Sequence, residues 1–370
     1  MEALAYTLRL ASPSVAGCAG SCSFTKSSSF TLGDYLRETG QEWHVSSCAL
    51  STTWTKLPLL RKSYHTPNSA ILEFGLPPGA ATLNLPTSSC VCARVRRPKS
   101  LRETVEWPLR ADEDDPVLLE LQAAVTAEER EAAAKREEAD EGFEERSYTP
   151  VSPEDLPGRF QLLVRRYDAW GDERYPKTYK PPGLVSSALH RLQVGDEVEF
   201  RHVAKNIKIR YPFRGAKRLN LVCVGSGVAP MIQILEKVLA TPGDDTRIVL
   251  VYGNRSEDEI MMKKRLEQLT WRYARRFKLV YCLGSRYDVD KDRPEVRNRY
   301  ALFGGAPKRE KGWITKDVLE RHLAPPGEDS LTLVCGLPRV YETLCGPRGD
   351  PKVAGTLAAL GWSRRDVVKL

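Results

Sequence analysis

A glycine-rich turn between two apolar segments is the first place in this sequence where chemistry is expected. Gly225-Ser226-Gly227-Val228-Ala229-Pro230 follows the apolar run 219–224 and opens a segment with apolar residues at helical spacing. Glycines let backbone amides approach a pyrophosphate closely, and a helix N-terminus favours negative charge. Pro230 suits a first helical turn, where its missing N–H costs nothing. The same residues also fit a plain strand-to-helix turn, and Pro230 departs from the usual G-x-G-x-x-G pattern.

A second candidate, Arg146-Ser147-Tyr148-Thr149-Pro150, lies about eighty residues earlier in the chain. An arginine can hold a phosphate through two hydrogen bonds. Tyr148 is two residues further along and therefore on the same strand face, where its ring can stack on a flat heterocycle. The hydroxyl of Thr149 can bond to a ring nitrogen. Taken alone, the segment is also compatible with a strand that ends in a proline turn.

The glycine-rich turn belongs to a region that alternates between strand and helix patterns, which predicts parallel βαβ units with right-handed crossovers. Residues 218–370 are therefore expected to form a Rossmann-like α/β domain, with a loop at 304–312. The predicted strands are 219–224, 247–252, 277–282 and 331–335, and the predicted helices are 231–239, 257–270 and 315–322.

The arginine motif belongs to an earlier region, 41–215, where short strands separated by Pro and Gly predict a small antiparallel β-barrel. The fold class is thus α+β and α/β in two domains. A highly charged segment, 96–143, interrupts the barrel, and a capping box at Thr126 and Glu129 predicts a helix that runs to about residue 140. This insertion is either an inert surface feature or an arm that docks a partner. The predicted barrel strands are 69–74, 89–95, 159–167 and 194–200.

Charge and apolar patterning narrow the range of partners. The formal net charge of +8 is spread along the chain. A nucleic-acid binder would show a concentrated basic stripe, so the pattern favours an acidic protein partner. No run of apolar residues reaches the length of a membrane span, although peripheral membrane contact stays open. Residues 1–40 are an N-terminal tail or a transit segment, because the first thirty contain many Ser and Ala and only Glu2 as an acid. A mitochondrial location is expected, with plastid and cytosol as alternatives.

The cysteines and histidines do not indicate metal or hydrolytic chemistry. The nine cysteines include the close pairs Cys18/Cys22 and Cys90/Cys92, but no second cluster with ligand spacing accompanies either pair. The five histidines are scattered, and the sequence has no serine nucleophile elbow. We therefore predict no metal site.

Together, the two motifs resemble the ferredoxin reductase superfamily and, within it, the NADH-cytochrome b5 reductase group. In that family an R-x-Y-[ST] motif binds FAD and a G-x-G-x-x-P turn receives the nicotinamide dinucleotide. Residues 160–167 are similar to a conserved flavin-site strand of the family, and 183–186 resemble the turn around the FAD pyrophosphate. Residues 252–260 are similar to the segment beside the NADH ribose, 335–338 to the C-G-x-P motif at the nicotinamide, and 355–370 to the family's C-terminal end.

This resemblance implies specific roles. Arg146 would clamp the FAD pyrophosphate and Tyr148 would stack on the flavin, while Thr149 and Cys335 would act catalytically, at the reactive edge of the flavin and beside the nicotinamide. The implied cofactor contacts are Arg146, Ser147, Tyr148, Thr149, Val164, Arg165, Tyr167, Gly183, Leu184, Val185 and Ser186 for FAD, and Gly225, Ser226, Gly227, Pro230, Glu259, Cys335, Gly336 and Pro338 for NADH.

Several positions depart from the family pattern. Arg165 stands where relatives often have lysine, and Ala229 replaces a threonine. Glu259 matches the acid of NADH-using relatives, which accepts from ribose hydroxyls and repels the extra phosphate of NADPH. Arg255 is close in sequence and acts in the opposite direction. The resemblance favours NADH.

The expected function is hydride transfer from NADH to FAD, followed by single-electron transfer to a small acidic redox protein such as cytochrome b5. One alternative is a reductase of the same superfamily that uses NADPH or that serves an iron–sulfur or oxygenase partner. A second alternative, of a different class, is a cofactor-binding or structural subunit of an organellar assembly.

Overall fold

The computed structural model describes residues 48–96, 142–169, 182–203, 208–284 and 306–370. The N-terminal tail and almost all of the charged insertion, including the helix predicted near Thr126, lie outside the described residues.

The first domain is an antiparallel sheet whose strand order is β4-β3-β6-β1-β2-β5. A bridge between Pro150 and Leu162 joins the chain after β4 to β5, so the two end strands meet and the sheet closes into a barrel. The interior contains Phe74, Phe160 and Phe200, whose ring centroids lie 4.8–5.8 Å apart. The elements are β1 (Thr55–Thr66), β2 (Ser69–Gly75), β3 (Val91–Arg96), β4 (Phe143–Tyr148), β5 (Arg159–Arg165), α1 (Leu184–Arg191) and β6 (Glu197–His202).

The second domain is a parallel sheet of order β10-β9-β8-β7-β11-β12, with helices on both faces. Successive strand residues alternate between two apolar clusters, so that Leu221 lies on the face covered by α2 and α3 and Val222 on the face covered by α4 and α5. The elements are β7 (Arg218–Val224), α2 (Val228–Ala240), β8 (Arg247–Asn254), α3 (Lys263–Arg272), β9 (Phe277–Leu283), β10 (Lys308–Lys311), α4 (Lys316–His322), β11 (Ser330–Cys335), α5 (Pro338–Leu344), α6 (Gly355–Ala359) and β12 (Val367–Lys369).

These two sheets confirm the predicted fold class, but two local predictions were wrong. The helix predicted at 257–270 is a short 3-10 turn, Glu257–Glu259, followed by a break at residues 260–262 and then α3. Met262 in this break has a left-handed φ of 60°. The loop predicted at 304–312 contains β10, which pairs with β9 as the edge strand of the sheet.

The two domains share part of their apolar interior. Val151 and Leu163 come from the first domain but pack in the main apolar cluster of the second. Polar contacts accompany them, since Arg265 donates to the carbonyl of Val151 at 2.7 Å and the amide of Met262 donates to His65 Nε2 at 2.6 Å. The relative position of the two motif-bearing domains is therefore fixed by burial as well as by hydrogen bonds.

Candidate functional site

The candidate site lies where the order of the parallel sheet reverses, between the carboxyl ends of β7 and β11. In open α/β sheets this is the position at which ligands bind. Gly225–Gly227 follows β7, and Cys335 ends β11, with its Cα directly paired to that of Cys223. A Cβ at Gly227 would lie 2.7 Å from the carbonyl carbon of Cys335 and closer still to its oxygen. Only glycine permits this approach, which brings the two predicted nucleotide motifs together.

The turn after β7 presents an anion-binding helix end. Gly225 has a left-handed φ of 56°, and no side-chain cap occupies the N-terminus of the following helix α2. The first turn of α2 carries no acidic residue, and Pro230 is buried within it. The helix dipole favours a negatively charged group here. Ser226 lies half-buried at the tip of the turn.

Two residues at the end of β5 reach across from the barrel to this turn. The hydroxyl of Tyr167 lies 3.2 Å from Ser226 Oγ. Arg165 is ion-paired with Glu259, at 2.7 Å between its guanidinium nitrogen and Glu259 Oε2. The Arg165 guanidinium also lies over the turn, 3.3 Å from the point where a Cβ of Gly225 would stand. Arg165, predicted at the flavin, therefore also borders the nucleotide turn.

The predicted FAD residues Arg146, Ser147 and Tyr148 lie on β4, which contacts helix α1. Arg146 is 64% exposed, and its nearest carboxylate, Glu144, is 3.5 Å away, so its guanidinium is accessible to an anion. Tyr148 packs against the barrel core, and this burial raises the pKa of its hydroxyl despite the opposing charge of Arg146. Ser147 is exposed and Thr149 is half-buried.

Helix α1 supplies a second uncapped helix end. It packs against β3, β4 and β5, and Gly183 caps its N-terminus without a side-chain hydrogen bond. A Cβ at Gly183 would lie 2.6 Å from Ser186 Oγ, so the turn is as tight as the chain allows. Residues 183–186, predicted as a turn, are thus the start of a helix, with free N–H groups on the element that packs against the Arg146 strand. This arrangement fits the pyrophosphate of FAD.

Several predicted site residues are buried or are held against neighbouring residues of the protein. Val164 and Val185 are in the barrel core, and the Val164 carbonyl accepts from His190 Nε2 at 3.0 Å. Leu184 is half-buried, whereas Pro338 is exposed at the start of α5. Gly336 is held close to Val340, since a Cβ there would lie 2.9 Å from the valine side chain. These residues shape the two turns and leave few side-chain atoms for a ligand.

Cys335 is half-buried at the end of β11. Burial raises the pKa of its thiol, and a neutral thiol is a weak nucleophile. The residue is therefore suited to contact a flat ring and not to form a covalent intermediate.

Trp313 is a candidate site residue that the sequence reasoning missed. It follows β10 at the same carboxyl edge of the parallel sheet, and its side chain is 48% exposed. The preceding Gly312 donates to the carbonyl of Leu283 at 2.5 Å, and Gly284 donates to the carbonyl of Asn254 at 3.1 Å, so the ends of β8, β9 and β10 form one continuous edge. The available signal was a lone tryptophan directly after Gly312, the last residue of the segment interpreted as a loop.

Comparison with known families identifies both domains. Residues 135–208 match the family model described as the oxidoreductase FAD-binding domain, and residues 221–346 match the oxidoreductase NAD-binding domain. With the fold and the paired turns, these matches define the class: the chain belongs to the oxidoreductases that join an FAD-binding barrel to an NAD-binding α/β domain. More particularly, its sequence is similar to that of proteins named NADH-cytochrome b5 reductase.

Individual relatives agree with this placement. NADH-cytochrome b5 reductase 2 of Neosartorya fischeri is 34% identical over 231 residues, which cover 60% of this chain and 61% of the relative. The Aspergillus niger protein of the same name is 32% identical over 232 residues, with the same two coverages. The chain thus spans about three fifths of the length of these curated relatives.

Solved structures show the same fold. The cytochrome b5 reductase domain of Ulva prolifera nitrate reductase superposes with a TM-score of 0.61 at 21% identity, covering 88% of this chain and all of that domain. The CS-b5R domains of human Ncb5or superpose with a TM-score of 0.54 at 19% identity, covering 86% of this chain and 69% of that one. Among the residues that the structure describes, no helix is both long and apolar enough to cross a bilayer.

Proposed function

We propose that this chain is an NADH-dependent flavoprotein reductase in which bound FAD accepts a hydride from NADH and passes single electrons to a cytochrome b5-like haem protein. The observation that carries the proposal is the contact of Tyr167 with both halves of the site. Its hydroxyl lies 3.2 Å from Ser226 Oγ of the nucleotide turn, and its carbonyl accepts from the amide of Gly183, at 2.9 Å, in the turn that opens α1. Hydride transfer needs two flat rings in close contact, and this cleft is where the two motifs meet.

On the barrel side, the residues hold an anion and a flat ring. The exposed guanidinium of Arg146 and the free N–H groups of α1 hold the FAD pyrophosphate. The ring of Tyr148, fixed against the barrel core, provides the stacking surface. Thr149 is the next residue along and supplies a hydroxyl at the end of the strand.

On the nucleotide side, the residues position the dinucleotide. The N-terminus of α2 receives its pyrophosphate, and Cys335 contacts the nicotinamide as a neutral thiol. Trp313 lies three strands from β7, or about 14 Å at ordinary strand spacing, which is within the reach of an extended dinucleotide. An exposed aromatic ring at this distance is suited to stack on the adenine. Glu259 follows β8, between these two ends, where it accepts from the ribose hydroxyls and favours NADH.

The electron acceptor is proposed to be a small acidic redox protein. The formal net charge of +8 supports this choice, because complementary charge speeds encounter between proteins. The curated relatives are named for cytochrome b5. A mitochondrial location is proposed from the composition of the first thirty residues, and a fluorescent fusion of the full chain imaged in cells tests it.

A flavin spectrum tests the function directly. Protein purified with added FAD should be yellow, and anaerobic NADH should bleach it. Catalytic reduction of ferricyanide and of cytochrome b5 by the purified chain should follow. Colourless protein, or a flavin that NADH leaves oxidised, would contradict the proposal and favour a structural subunit.

A pair of matched arginine variants tests the FAD site. Arg146→Gln should weaken FAD binding by roughly tenfold to a hundredfold, the usual value of a charge-assisted hydrogen bond. Arg61→Gln is the control, because Arg61 is equally exposed on the same barrel, at 65%, and lies 3.7 Å from Glu73. Equal FAD affinity in the two variants would exclude Arg146 from the site.

A further inference from the structure

The acid proposed to select NADH is not free in this structure. Glu259 Oε2 lies 2.7 Å from a guanidinium nitrogen of Arg165, and the two side chains are only 18% and 14% exposed. The partners come from different domains, since Arg165 ends β5 of the barrel and Glu259 lies in the turn after β8. At such low exposure the pair is screened much less than a surface pair.

Among the residues that the structure describes, the neighbouring charges have other ion-pair partners. Glu257 is engaged by Lys263 at 2.6 Å and by Arg309 at 2.9 Å. Among the described residues, Arg165 is the basic side chain that forms an ion pair with Glu259. Arg165 is also held above Gly225, so its charge lies within the proposed dinucleotide site.

This geometry changes what Glu259 does to the two dinucleotides. An unpaired carboxylate repels the additional phosphate of NADPH, whereas a carboxylate neutralised by a guanidinium repels it less. We propose that Arg165 is a specificity-determining residue that acts through Glu259 and holds the preference for NADH below the level that Glu259 alone would give. This inference rests on the proposed function, because it places the dinucleotide in this cleft.

The test compares the binding of NAD⁺ and NADP⁺ to the oxidised, FAD-loaded protein by visible difference spectroscopy. Arg165→Met should raise the ratio of the NADP⁺ Kd to the NAD⁺ Kd by about fivefold, the effect of one partly buried ion pair. Arg165→Lys keeps the charge and should keep the wild-type ratio. Arg166→Met is the matched control, because Arg166 is the next residue along the chain and bonds to Asp168 at 2.6 Å.

If Arg165 only bound the flavin or the pyrophosphate, we would expect a different result. Loss of its charge would then weaken both dinucleotides equally and leave the ratio unchanged, which would overturn the proposal. Loss of FAD or of the fold is monitored by the flavin absorbance and by the thermal midpoint of each variant.

A double-mutant cycle establishes whether the effect passes through Glu259. Glu259→Gln alone should lower the ratio, and adding Arg165→Met to Glu259→Gln should change it no further. A shift that persists in the Glu259→Gln background would mean that Arg165 acts on the phosphate directly, which contradicts the proposal. Failure of NADH to reduce the wild-type flavin would count against the proposed function, whereas an unmoved ratio in an active protein counts against this inference alone.

Discussion

At the scale of single residues, Gly227 shows how closely the two nucleotide turns approach. A methyl group at this position would stand 2.7 Å from the carbonyl carbon of Cys335, and that neighbour is backbone, which cannot turn aside as a flexible side chain would. The turn after β7 must therefore move away from β11 if any side chain is added at residue 227.

Gly227→Ala should consequently separate the nicotinamide side of the cleft from the flavin side. We expect a loss of stability of about 1–3 kcal/mol, as for other overpacked sites. The rate of flavin reduction by NADH should fall on the order of a hundredfold, because small misplacements are costly in hydride transfer. FAD content should be retained. Stopped-flow reduction and thermal unfolding measure these effects.

Gly349→Ala is the matched control for that substitution. A Cβ at Gly349 meets no atom within 4 Å, and this glycine has no left-handed φ. Its reduction rate should equal that of the wild type. An unaltered rate in Gly227→Ala would contradict the proposed location of the nicotinamide.

Trp313 provides a second prediction at this scale. If its indole stacks on adenine, Trp313→Ala should weaken NAD⁺ binding by roughly tenfold, since stacking of a base on an aromatic ring is worth about 1–3 kcal/mol. Trp271→Ala is the control, because Trp271 is similarly exposed, at 56%, but lies on α3. Titration of the oxidised flavoprotein with NAD⁺ measures both. Equal Kd values would place the adenine elsewhere.

The sequence predicted local turns better than it predicted contacts between distant residues. Glycines 225 and 227 were assigned from local spacing alone, because a tight turn after a strand needs only neighbouring residues. The pairing of Arg165 with Glu259 joins residues 94 positions apart across two domains. Domain packing decides such a contact, and no local pattern in a single sequence reports it.

At the scale of elements, the strands that were predicted share a strong apolar run, and the missed ones do not. Strand β7 is apolar at every position from Leu221 to Val224, as expected for a strand buried on both faces. Strand β1 was missed because register shifts near Leu59 and Thr66 break its alternation. Strand β10, Lys-Arg-Glu-Lys, is an edge strand whose charges resemble a loop, and such charges protect an edge from further pairing.

The break between Glu259 and α3 was also beyond local prediction. Met262 adopts a left-handed conformation, and its amide donates to His65 of the first domain. His65 is the penultimate residue of strand β1, so the partner that fixes the break comes from the barrel. The bond requires an unprotonated Nε2, and burial lowers the pKa of His65 below its ordinary value of 6.5.

This contact predicts a dependence of stability on pH. The unfolded chain protonates His65 near its ordinary pKa, whereas the folded chain resists protonation until a lower pH. The contribution of His65 is therefore complete above about pH 6.5 and is lost as pH falls through the lower pKa of the folded state. The free energy of unfolding should decrease between pH 7.5 and 5.5, as measured by urea titration.

His65→Gln isolates this contribution, since glutamine keeps an acceptor for the Met262 amide but does not titrate. The variant should show a shallower loss of stability over the same pH range. Part of the slope should remain, because burial also lowers the pKa values of His190, His202 and His322. A slope identical to that of the wild type would show that the His65 contact does not contribute.

At the scale of the whole molecule, the two domains are joined by a shared core. Leu162 and Leu163 are adjacent on β5, yet Leu162 packs inside the barrel while Leu163 packs in the main cluster of the second domain. Strand β5 thus has one face in each domain, and Tyr167 and Arg165 at its end reach the nucleotide turn. A redox site formed between two domains depends on this arrangement, because the packing of the domains sets the separation of the flavin and nicotinamide rings.

Leu163→Ala and Leu162→Ala separate stability from domain coupling. Each removes a buried leucine, 3% and 0% exposed, and should cost about 2–5 kcal/mol. Leu163→Ala should in addition split the calorimetric unfolding transition into two and slow flavin reduction by NADH, because the interface between the domains is weakened. Leu162→Ala should lower the thermal midpoint but keep one transition and a near-normal reduction rate. The same behaviour in both variants would mean that packing of β5 against the second domain does not set the geometry of the cleft, and that its polar contacts alone hold the domains in place.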